Sequence, residues 1–276
     1  MAKSLAEMSN VSHHNNLMVV DSLNLAFRYK HNKTKNYASK YLETIRSLAQ
    51  SYEASEVIIT ADFKGSSFRV GVYPEYKANR KALQEKQTEE ERAEFKEFIG
   101  DYVKTLELLE ASGFTVLRYE GVEADDLAAY LVKYHSVNYG HTWLISTDRD
   151  WDLLISDSVS RFSYTSRKEV TLDTWGQHYD YEPEEHISIK VLEGDKGDNV
   201  PGVAGIGPKR AIVLLGQFGS ALDVYDAIPI DQKYKHIQAL NLFKEQLLVN
   251  YELMDLLTFC EDAIGEDNIK DIEGKL

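Results

Sequence analysis

The sequence has almost none of the residues that build disulfide scaffolds, zinc clusters or membrane spans. One cysteine, Cys260, occurs among 276 residues, which excludes an intramolecular disulfide and a cysteine-rich zinc site. No apolar run approaches the ~20 residues that a membrane span needs, and the first residues lack the apolar stretch of a signal peptide. We therefore expect a protein of the reducing cytoplasm that does not enter membranes, with residues 1–15 as a polar lead-in.

Three common catalytic motifs are missing as well. The chain contains no HExxH zincin motif, no Walker A loop and no GxSxG nucleophile elbow. Its formal net charge of −14 at first argues against a nucleic-acid partner, yet basic residues are concentrated in the segments 27–40 and 76–86. An acidic protein with such basic segments binds phosphate groups if metal ions neutralise its carboxylates.

Hydrophobic patterning predicts an α/β fold with a mostly parallel central sheet flanked by helices. Buried strands are predicted at residues 17–20, 57–60, 114–117 and 142–146. Helical periodicity covers residues 38–54 and a second stretch that runs from a capping box at Thr88 to Gly113. Residues 159–172 predict a β-hairpin, and the pattern is helical from Pro183 onward.

Acidic residues follow every predicted strand closely. The carboxyl ends of parallel strands meet at one edge of the sheet, where open α/β sheets place their sites. Taken singly, each acid is explained as a helix N-cap or as a complement to a helix dipole. Together they would repel one another without cations, so we expect Mg²⁺ ions that activate water for phosphoryl displacement. The acids are Asp21, Asp62, Glu123, Asp125, Asp126, Asp148 and Asp150.

The stretch 194–211, GDKGDNVPGVAGIGPKRA, adds an acidic and a basic element. Its first half supplies Asp195 and Asp198 in a glycine-rich loop. Its second half, from Gly205 to Arg210, predicts a tight hairpin that opens a helix, where free N–H groups and the dipole favour a phosphate. Either half alone is more often a turn or a cap. Joined to the other acids, they indicate a metal site next to a phosphate-binding hairpin.

Five blocks occur in a fixed order along the chain: VVDSLN, the stretch from TADFKGSSFR to PEYKANR, GVEADDLAA, STDRDWDLL and GDKGDNVPGVAGIGPKRA. They resemble the flap endonuclease (5′→3′ exonuclease) family, above all its tailed-phage members, and the 5′-nuclease domain of bacterial DNA polymerase I is similar. The resemblance implies a metal-dependent nuclease that cuts branched DNA near the base of a 5′ flap. It also implies an α/β catalytic core at 17–182 with a helical arch at about 65–100. Residues 183–276 would form a helical region that carries a DNA-binding helix-hairpin-helix.

The resemblance further implies roles for individual residues. A first metal cluster takes Asp21, Asp62, Glu123, Asp125 and Asp126, and a second takes Asp148, Asp150, Asp195 and Asp198. The catalytic residues are Lys77, Asp62, Asp148 and Arg28. The residues expected to contact DNA are Tyr76, Lys77, Arg80, Lys190, Gly205, Gly207, Lys209 and Arg210.

The same resemblance implies cofactors and partners. We expect two or more Mg²⁺ ions, for which Mn²⁺ can substitute, and a K⁺ ion held by backbone carbonyls of the hairpin. The partner is branched or flapped DNA, and the protein acts as a monomer in the cytoplasm, which is that of the host cell if a phage encodes it. Two of these residues also have an ordinary structural explanation. Lys77 would then be a surface lysine, and Tyr76 would be a core tyrosine that does not stack on a base.

Two other functions fit part of the pattern. A different Mg²⁺ enzyme with acids at its strand ends, such as a phosphatase or a PIN-type ribonuclease, needs neither the hairpin at 203–210 nor a basic arch. A non-catalytic DNA-binding module needs the hairpin but not the gathered acids, which repel phosphate. Incubation of a labelled 5′-flap duplex with and without Mg²⁺ separates the three functions.

Overall fold

A six-stranded sheet forms the centre of the molecule. The computed structural model describes residues 15–276, apart from the side chain of residue 81, so residues 1–14 of the predicted lead-in lie outside it. The strands are β1 (Asn16–Asp21), β2 (Ala54–Thr60), β3 (Thr115–Leu117), β4 (His141–Ile145), β5 (Val159–Ser163) and β6 (Lys168–Val170). Their order is β3-β2-β1-β4-β5-β6, and every pair is parallel except β5 with β6. All four predicted strands are present, and the predicted hairpin consists of β5 and β6.

Helices flank this sheet and make up the regular structure of the described chain after β6. The α-helices are α1 (Ser22–His31), α2 (Ala38–Ser51), α3 (Ser67–Val72), α4 (Ala78–Glu85), α5 (Glu89–Ala111), α6 (Ala124–Tyr134), α7 (His186–Glu193), α8 (Pro208–Phe218), α9 (Ala221–Ala227), α10 (Lys235–Leu242), α11 (Lys244–Met254), α12 (Leu256–Ile264) and α13 (Glu266–Lys275). Short 3₁₀ helices cover Ser136–Asn138, Arg149–Leu154, Trp175–Gln177 and Pro183–Glu185. The predicted α/β fold is therefore confirmed. No helix within residues 15–276 is long and apolar enough to cross a membrane.

Alternate residues of β1 point to opposite faces of the sheet, and both faces are buried. Leu17 and Val19 lie in a hydrophobic cluster with residues of α6 and α12. Met18 and Val20 belong to a second cluster with residues of α1, α2 and α5. A parallel strand that helices cover on both faces must be apolar throughout, which explains the continuous run LMVV.

The segment predicted as an arch, residues 65–100, consists of α3, α4 and the first half of α5. Helix α5 begins at the predicted capping box, in which Thr88 Oγ1 accepts a hydrogen bond from the N–H of Glu91 and the Glu91 carboxylate accepts one from the N–H of Thr88. Further along, Phe98 and Tyr102 of α5 are buried against the sheet. The long helix thus joins the arch segment to the core.

The order of the strands places a crevice at the middle of the sheet edge. Strands β2 and β3 lie on one side of β1, whereas β4 and β5 lie on the other. Where the strand order reverses in this way, a crevice opens outside the carboxyl ends of the strands. Asp21 ends β1 and Asp148 follows β4, so the predicted acids converge at this crevice.

Candidate active site

Asp21 and Asp148 lie at the centre of the crevice, and a serine connects them. Asp21 is the N-cap of α1 and accepts a hydrogen bond from the N–H of Asn24 at 3.2 Å. Its other oxygen accepts one from Ser146 Oγ at 2.8 Å, and Ser146 Oγ accepts one from the N–H of Asp148 at 3.0 Å. The ordinary explanation, a helix cap, is therefore correct for Asp21. The same carboxylate still faces the charges of Asp62 and Asp148.

Four carboxylates at this edge have raised pKa values. Burial, followed by the negative charge of Asp62, raises the pKa of Asp21 to about 8. Burial, followed by the charge of Asp148, raises the pKa of Asp125 well above its ordinary value. Burial also raises the pKa of Asp62 and of Asp148. Carboxylates that lose hydration and oppose one another's ionisation need nearby cations if all are to be charged at neutral pH.

Glu123 and Asp126 are bound by basic side chains. Arg69 donates to the two oxygens of Asp126 at 2.7 and 2.8 Å and to Glu123 Oε2 at 3.1 Å. Lys77 Nζ lies 2.7 Å from Glu123 Oε1. Although Glu123 is buried, Lys77 and Arg69 hold its pKa below the ordinary value. Because Arg69 occupies both oxygens of Asp126, this contact opposes the prediction that Asp126 is a metal ligand.

The second predicted set of carboxylates is also paired with cations. Arg80 lies 2.7 Å from Asp198, and Lys190 lies 2.6 Å from Asp150 and 3.8 Å from Asp195. Burial opposes the charge of Lys190, yet Asp150 raises its pKa above the ordinary value. Two residues predicted to contact DNA therefore neutralise carboxylates in this structure.

The loop 194–202 presents Asp195 and Asp198 because two glycines allow its ends to touch. Gly194 has a φ of 69°, and a Cβ on it would lie 2.4 Å from the nitrogen of Gly202. A Cβ on Gly202 would lie 1.8 Å from a carbonyl oxygen. Neither position has room for a side chain, so the close approach of the loop ends requires glycine at both.

A small cleft brings the two sets of carboxylates together. It has a volume of about 20 Å³ and is lined by Asp125 of the first set and by Asp150, Asp195 and Asp198 of the second. Within residues 15–276, no three His, Cys, Asp or Glu side chains have the geometry of a metal site. Lysine and arginine groups instead pair with five of the carboxylates, Glu123, Asp126, Asp150, Asp195 and Asp198. Hard carboxylate oxygens that raise one another's pKa still fit divalent ions such as Mg²⁺.

The hairpin after this loop has the predicted form. Gly205 has a φ of 79°, and Pro208 is the first residue of α8. The guanidinium of Arg210 donates a hydrogen bond to the carbonyl of Gly205. A cavity of about 700 Å³ extends from the hairpin toward the second carboxylate set. Its lining includes Arg149, Asp150, Lys190, Gly205, Gly207, Lys209 and Arg210.

Two further predicted site residues, Arg28 and Tyr76, lie in environments that differ from each other. The guanidinium of Arg28 lies 4.3 Å from the ring centroid of Tyr164 and lines a separate cavity of about 560 Å³. The ring of Tyr76 is buried, and its hydroxyl lies within hydrogen-bonding distance of Glu123 at 3.1 Å and Asp198 at 2.9 Å. The core explanation describes Tyr76 in this structure, and its stacking on a base stays a prediction.

Three residues that the sequence analysis did not assign, Arg69, Asn79 and Asn199, hold the site together. They lie within the blocks TADFKGSSFR, PEYKANR and GDKGDNVPGVAGIGPKRA. Their position in these blocks is the feature of the sequence that could have indicated a role at the site. Arg69 and Asp126 are 57 residues apart in the chain, and Asn79 and Gly197 are 118 apart. Their partners become visible only in the folded chain.

Comparison with known proteins shows the family to which the chain belongs. Residues 16–181 match the family model described as 5'-3' exonuclease, N-terminal resolvase-like domain, and residues 181–273 match 5'-3' exonuclease, C-terminal SAM fold. The flap endonuclease of Escherichia phage T5 is 46% identical over 261 residues, which cover 94% of this chain and 89% of that protein. DNA polymerase I of Mycobacterium tuberculosis is 30% identical over 257 residues, which cover 87% of this chain and 27% of the polymerase.

A solved structure matches the fold over nearly the whole chain. It is the flap endonuclease of bacteriophage T5 in a pseudo-enzyme-product complex with DNA and metal ions. The TM-score is 0.89 at 45% identity, with 94% of this chain and 98% of that chain covered. The fold and the carboxylate edge define a metal-dependent nuclease. The chain belongs to the 5′-3′ exonuclease family, which confirms the resemblance that its sequence blocks predict.

Proposed function

We propose that this protein is a structure-specific 5′ nuclease that uses Mg²⁺ to hydrolyse phosphodiester bonds of 5′-flapped or branched DNA and of 5′ ends. One observation carries the proposal: Asp125 of the first carboxylate set lines the same cleft as Asp150, Asp195 and Asp198 of the second set. A cavity lined by Lys190, Lys209 and Arg210 begins beside that cleft and ends at the hairpin. The phage T5 relative, solved with DNA and metal ions, supports the assignment.

The carboxylates divide into ligands and a positioning group. The residues that would hold divalent ions are Asp21, Asp62, Glu123, Asp125, Asp148, Asp150, Asp195 and Asp198. We assign Asp126 to positioning, because the buried Arg69 donates to both of its oxygens, whereas one oxygen of Glu123 is bound by the more exposed Lys77. The chemistry that two bound Mg²⁺ or Mn²⁺ ions supply is the activation of water and the stabilisation of both oxygens of an in-line displacement.

Basic side chains at the cleft bind and orient the DNA. Lys77 is half-buried beside Glu123 and Asp198, so its ammonium is already largely desolvated. When it exchanges these carboxylates for a phosphate oxygen, it loses little further hydration and stabilises the charge that develops there. Arg80 pairs with Asp198 and Lys190 with Asp150, and Arg28 provides a cation on the other flank.

The hairpin binds duplex DNA through phosphates. Lys209 and Arg210 are exposed at the start of α8, where N–H groups and the helix dipole favour an anion. A K⁺ ion at the hairpin carbonyls belongs to the proposal, and Arg210 competes for one of these oxygens because it already donates to Gly205. We further propose that the protein acts in the cytoplasm, because a single, buried cysteine fits a reducing compartment, and that it acts as a monomer.

Cleavage of a labelled 5′-flap duplex in excess enzyme tests the proposal. We expect cleavage near the base of the flap in Mg²⁺, with 5′-phosphate and 3′-hydroxyl products, and none in EDTA. Full activity in EDTA contradicts metal dependence. Cleavage of RNA or of phosphate monoesters without cleavage of branched DNA favours the other Mg²⁺ enzyme. Tight binding with unchanged substrate favours the non-catalytic DNA-binding module.

A further inference from the structure

Two distant segments, the base of the arch at residues 75–80 and the loop 195–199, are joined by hydrogen bonds to main-chain carbonyls that we call the arch-base clasp. Its bonds run from Lys77 N–H to the Asp198 carbonyl at 2.8 Å, from Asn79 Nδ2 to the carbonyls of Lys196 at 3.1 Å and Gly197 at 3.2 Å, and from Asn199 Nδ2 to the Glu75 carbonyl at 2.7 Å. Two of the three donors are asparagine side chains. Their bonds connect the arch to the loop that carries the second carboxylate set.

Both ends of the clasp contain a backbone conformation that needs support. Lys77 has a φ of 54° and Asn199 a φ of 60°, and both lie in the left-handed region. A residue with a Cβ adopts this region at a cost, which is smaller for asparagine than for lysine, and keeps it where the surrounding structure holds it. The clasp supplies that support, because its bonds lie at Lys77, two residues before it at Glu75, two residues after it at Asn79, and at Asn199 itself.

The direction of the Lys77 side chain depends on this backbone. From its left-handed position at the start of α4, Lys77 places its ammonium 2.7 Å from Glu123 and 3.5 Å from Asp198. Asp198 is also the residue whose carbonyl accepts the Lys77 N–H. The clasp therefore fixes the ammonium relative to a carboxylate of the second set.

We propose that Asn79 and Asn199 are positioning residues of the nuclease, which hold Lys77 in register with the second carboxylate set. The proposal rests on the role of Lys77 at the scissile phosphate. A neutral amide suits this task, because it donates to carbonyls without adding a cation that would compete for the carboxylates. Among the described residues, Asn79 Oδ1 is buried without a hydrogen-bond partner, so Asn79 serves here through its donors alone.

Two substitutions distinguish the effect of the amide hydrogen bonds from the effect of the left-handed backbone conformation. Asn79→Ala removes two donated hydrogen bonds, whereas Asn199→Gly removes one but keeps a residue that adopts the left-handed region without strain. The matched control is Asn268→Ala, because Asn268 also donates to a carbonyl, that of Ile264 at 2.8 Å, within the C-terminal helices. Thermal unfolding of each variant establishes that it is folded.

The first measurement is single-turnover cleavage of a saturating 5′-flap duplex in Mg²⁺. We expect Asn79→Ala and Asn199→Gly each to lower the rate about tenfold, in line with the loss of hydrogen bonds that position a group. Flap affinity in Ca²⁺ should change less than about twofold, and Asn268→Ala should match the parent. Parental rates in both variants, or a loss confined to affinity, would overturn the proposal.

A double variant tests whether Asn79 acts through Lys77. If it does, adding Asn79→Ala to Lys77→Ala should lower the rate by less than about twofold further, since the group being positioned is gone. A further loss as large as that in the Lys77-containing protein would show that the two residues act independently, and the positioning role would be wrong.

Hydrogen exchange tests the clasp without substrate or metal. The Lys77 amide donates to Asp198, so Asn79→Ala and Asn199→Gly should speed its exchange at least about fivefold while Asn268→Ala leaves it unchanged. Unchanged exchange in both variants would overturn the clasp. If the parent fails to cleave flap DNA, the proposed function fails, and this measurement still decides whether the clasp exists.

Discussion

The guanidinium of Arg69 donates two parallel hydrogen bonds to the carboxylate of Asp126, at 2.7 and 2.8 Å, in the interior of the protein. The two side chains are 5% and 1% exposed. Arg69 also donates to the carbonyl of Leu253 at 2.9 Å, so it ties the arch segment to the C-terminal helices. A buried ion pair stabilises a fold only while both partners are present, because either one alone is an uncompensated charge.

Arg69→Met should therefore lower the free energy of unfolding by about 3–5 kcal/mol, measured by urea denaturation. The matched control is Lys64→Met, which breaks the exposed ion pair with Glu120 and should change the free energy by at most about 1 kcal/mol. If the two variants lose the same small amount, the Arg69 pair is not a structural element.

Lys77→Ala should separate chemistry from binding. We expect single-turnover cleavage of the 5′ flap to fall roughly 10²-fold or more, as for the loss of one electrostatic group that acts on the transition state. Affinity for the flap should change much less, and Lys270→Ala, which breaks an exposed ion pair with Asp267, should behave as the parent. Equal losses of affinity and rate would make Lys77 a binding residue instead.

Asp148→Asn should slow cleavage in Mg²⁺ strongly yet bind DNA in EDTA at least as well as the parent. Coulomb repulsion at ~4 Å between partly exposed charges is worth about 1–4 kcal/mol, so removing one carboxylate is measurable in a titration. Asp157→Asn removes the same charge from an exposed turn and serves as the control. Weaker binding of Asp148→Asn in EDTA would favour a structural cap, since Asp148 accepts a hydrogen bond from the N–H of Asp150 at 2.9 Å.

Lys209→Ala and Arg210→Ala should each weaken duplex binding for all sequences alike, because contacts to phosphate carry no base code. Each lost phosphate contact should reduce the slope of log K against log salt by about one unit. Lys270→Ala again provides the control. An unaltered slope, or a changed sequence preference, would mean that the hairpin is only structural.

His186 should make stability depend on pH. Burial lowers its pKa to about 4, from an ordinary value near 6.5. As the pH falls below about 6.5 the unfolded chain takes up the proton first, so about 3 kcal/mol of stability is lost progressively down to about pH 4. His186→Gln should flatten the fall in unfolding free energy between pH 7 and pH 4.5, whereas His31→Gln at an exposed position should not. An equally steep fall in His186→Gln would contradict this.

Local patterns determined the architecture and the location of the site. The run LMVV requires a strand covered on both faces, Thr88 with Glu91 starts α5, and Pro208 starts α8. The acids meet because parallel strands end at one edge, so their convergence follows from the α/β pattern alone. The five sequence blocks that resemble the flap endonuclease family then reduced the candidate functions from phosphoryl transfer in general to a nuclease.

Tertiary structure decided how the charged groups are paired. Asp125 and Asp126 are adjacent in sequence, yet Asp125 lines the cleft whereas Asp126 is bound by Arg69, because successive helical residues point in different directions. From the sequence, Tyr76 fits either a tyrosine that stacks on a base or a core residue. In this structure it is a core residue, because its ring is buried and its hydroxyl donates to Asp198. These two pairings join residues that are 57 and 122 positions apart. No local spacing in a sequence encodes which distant side chain will be the partner.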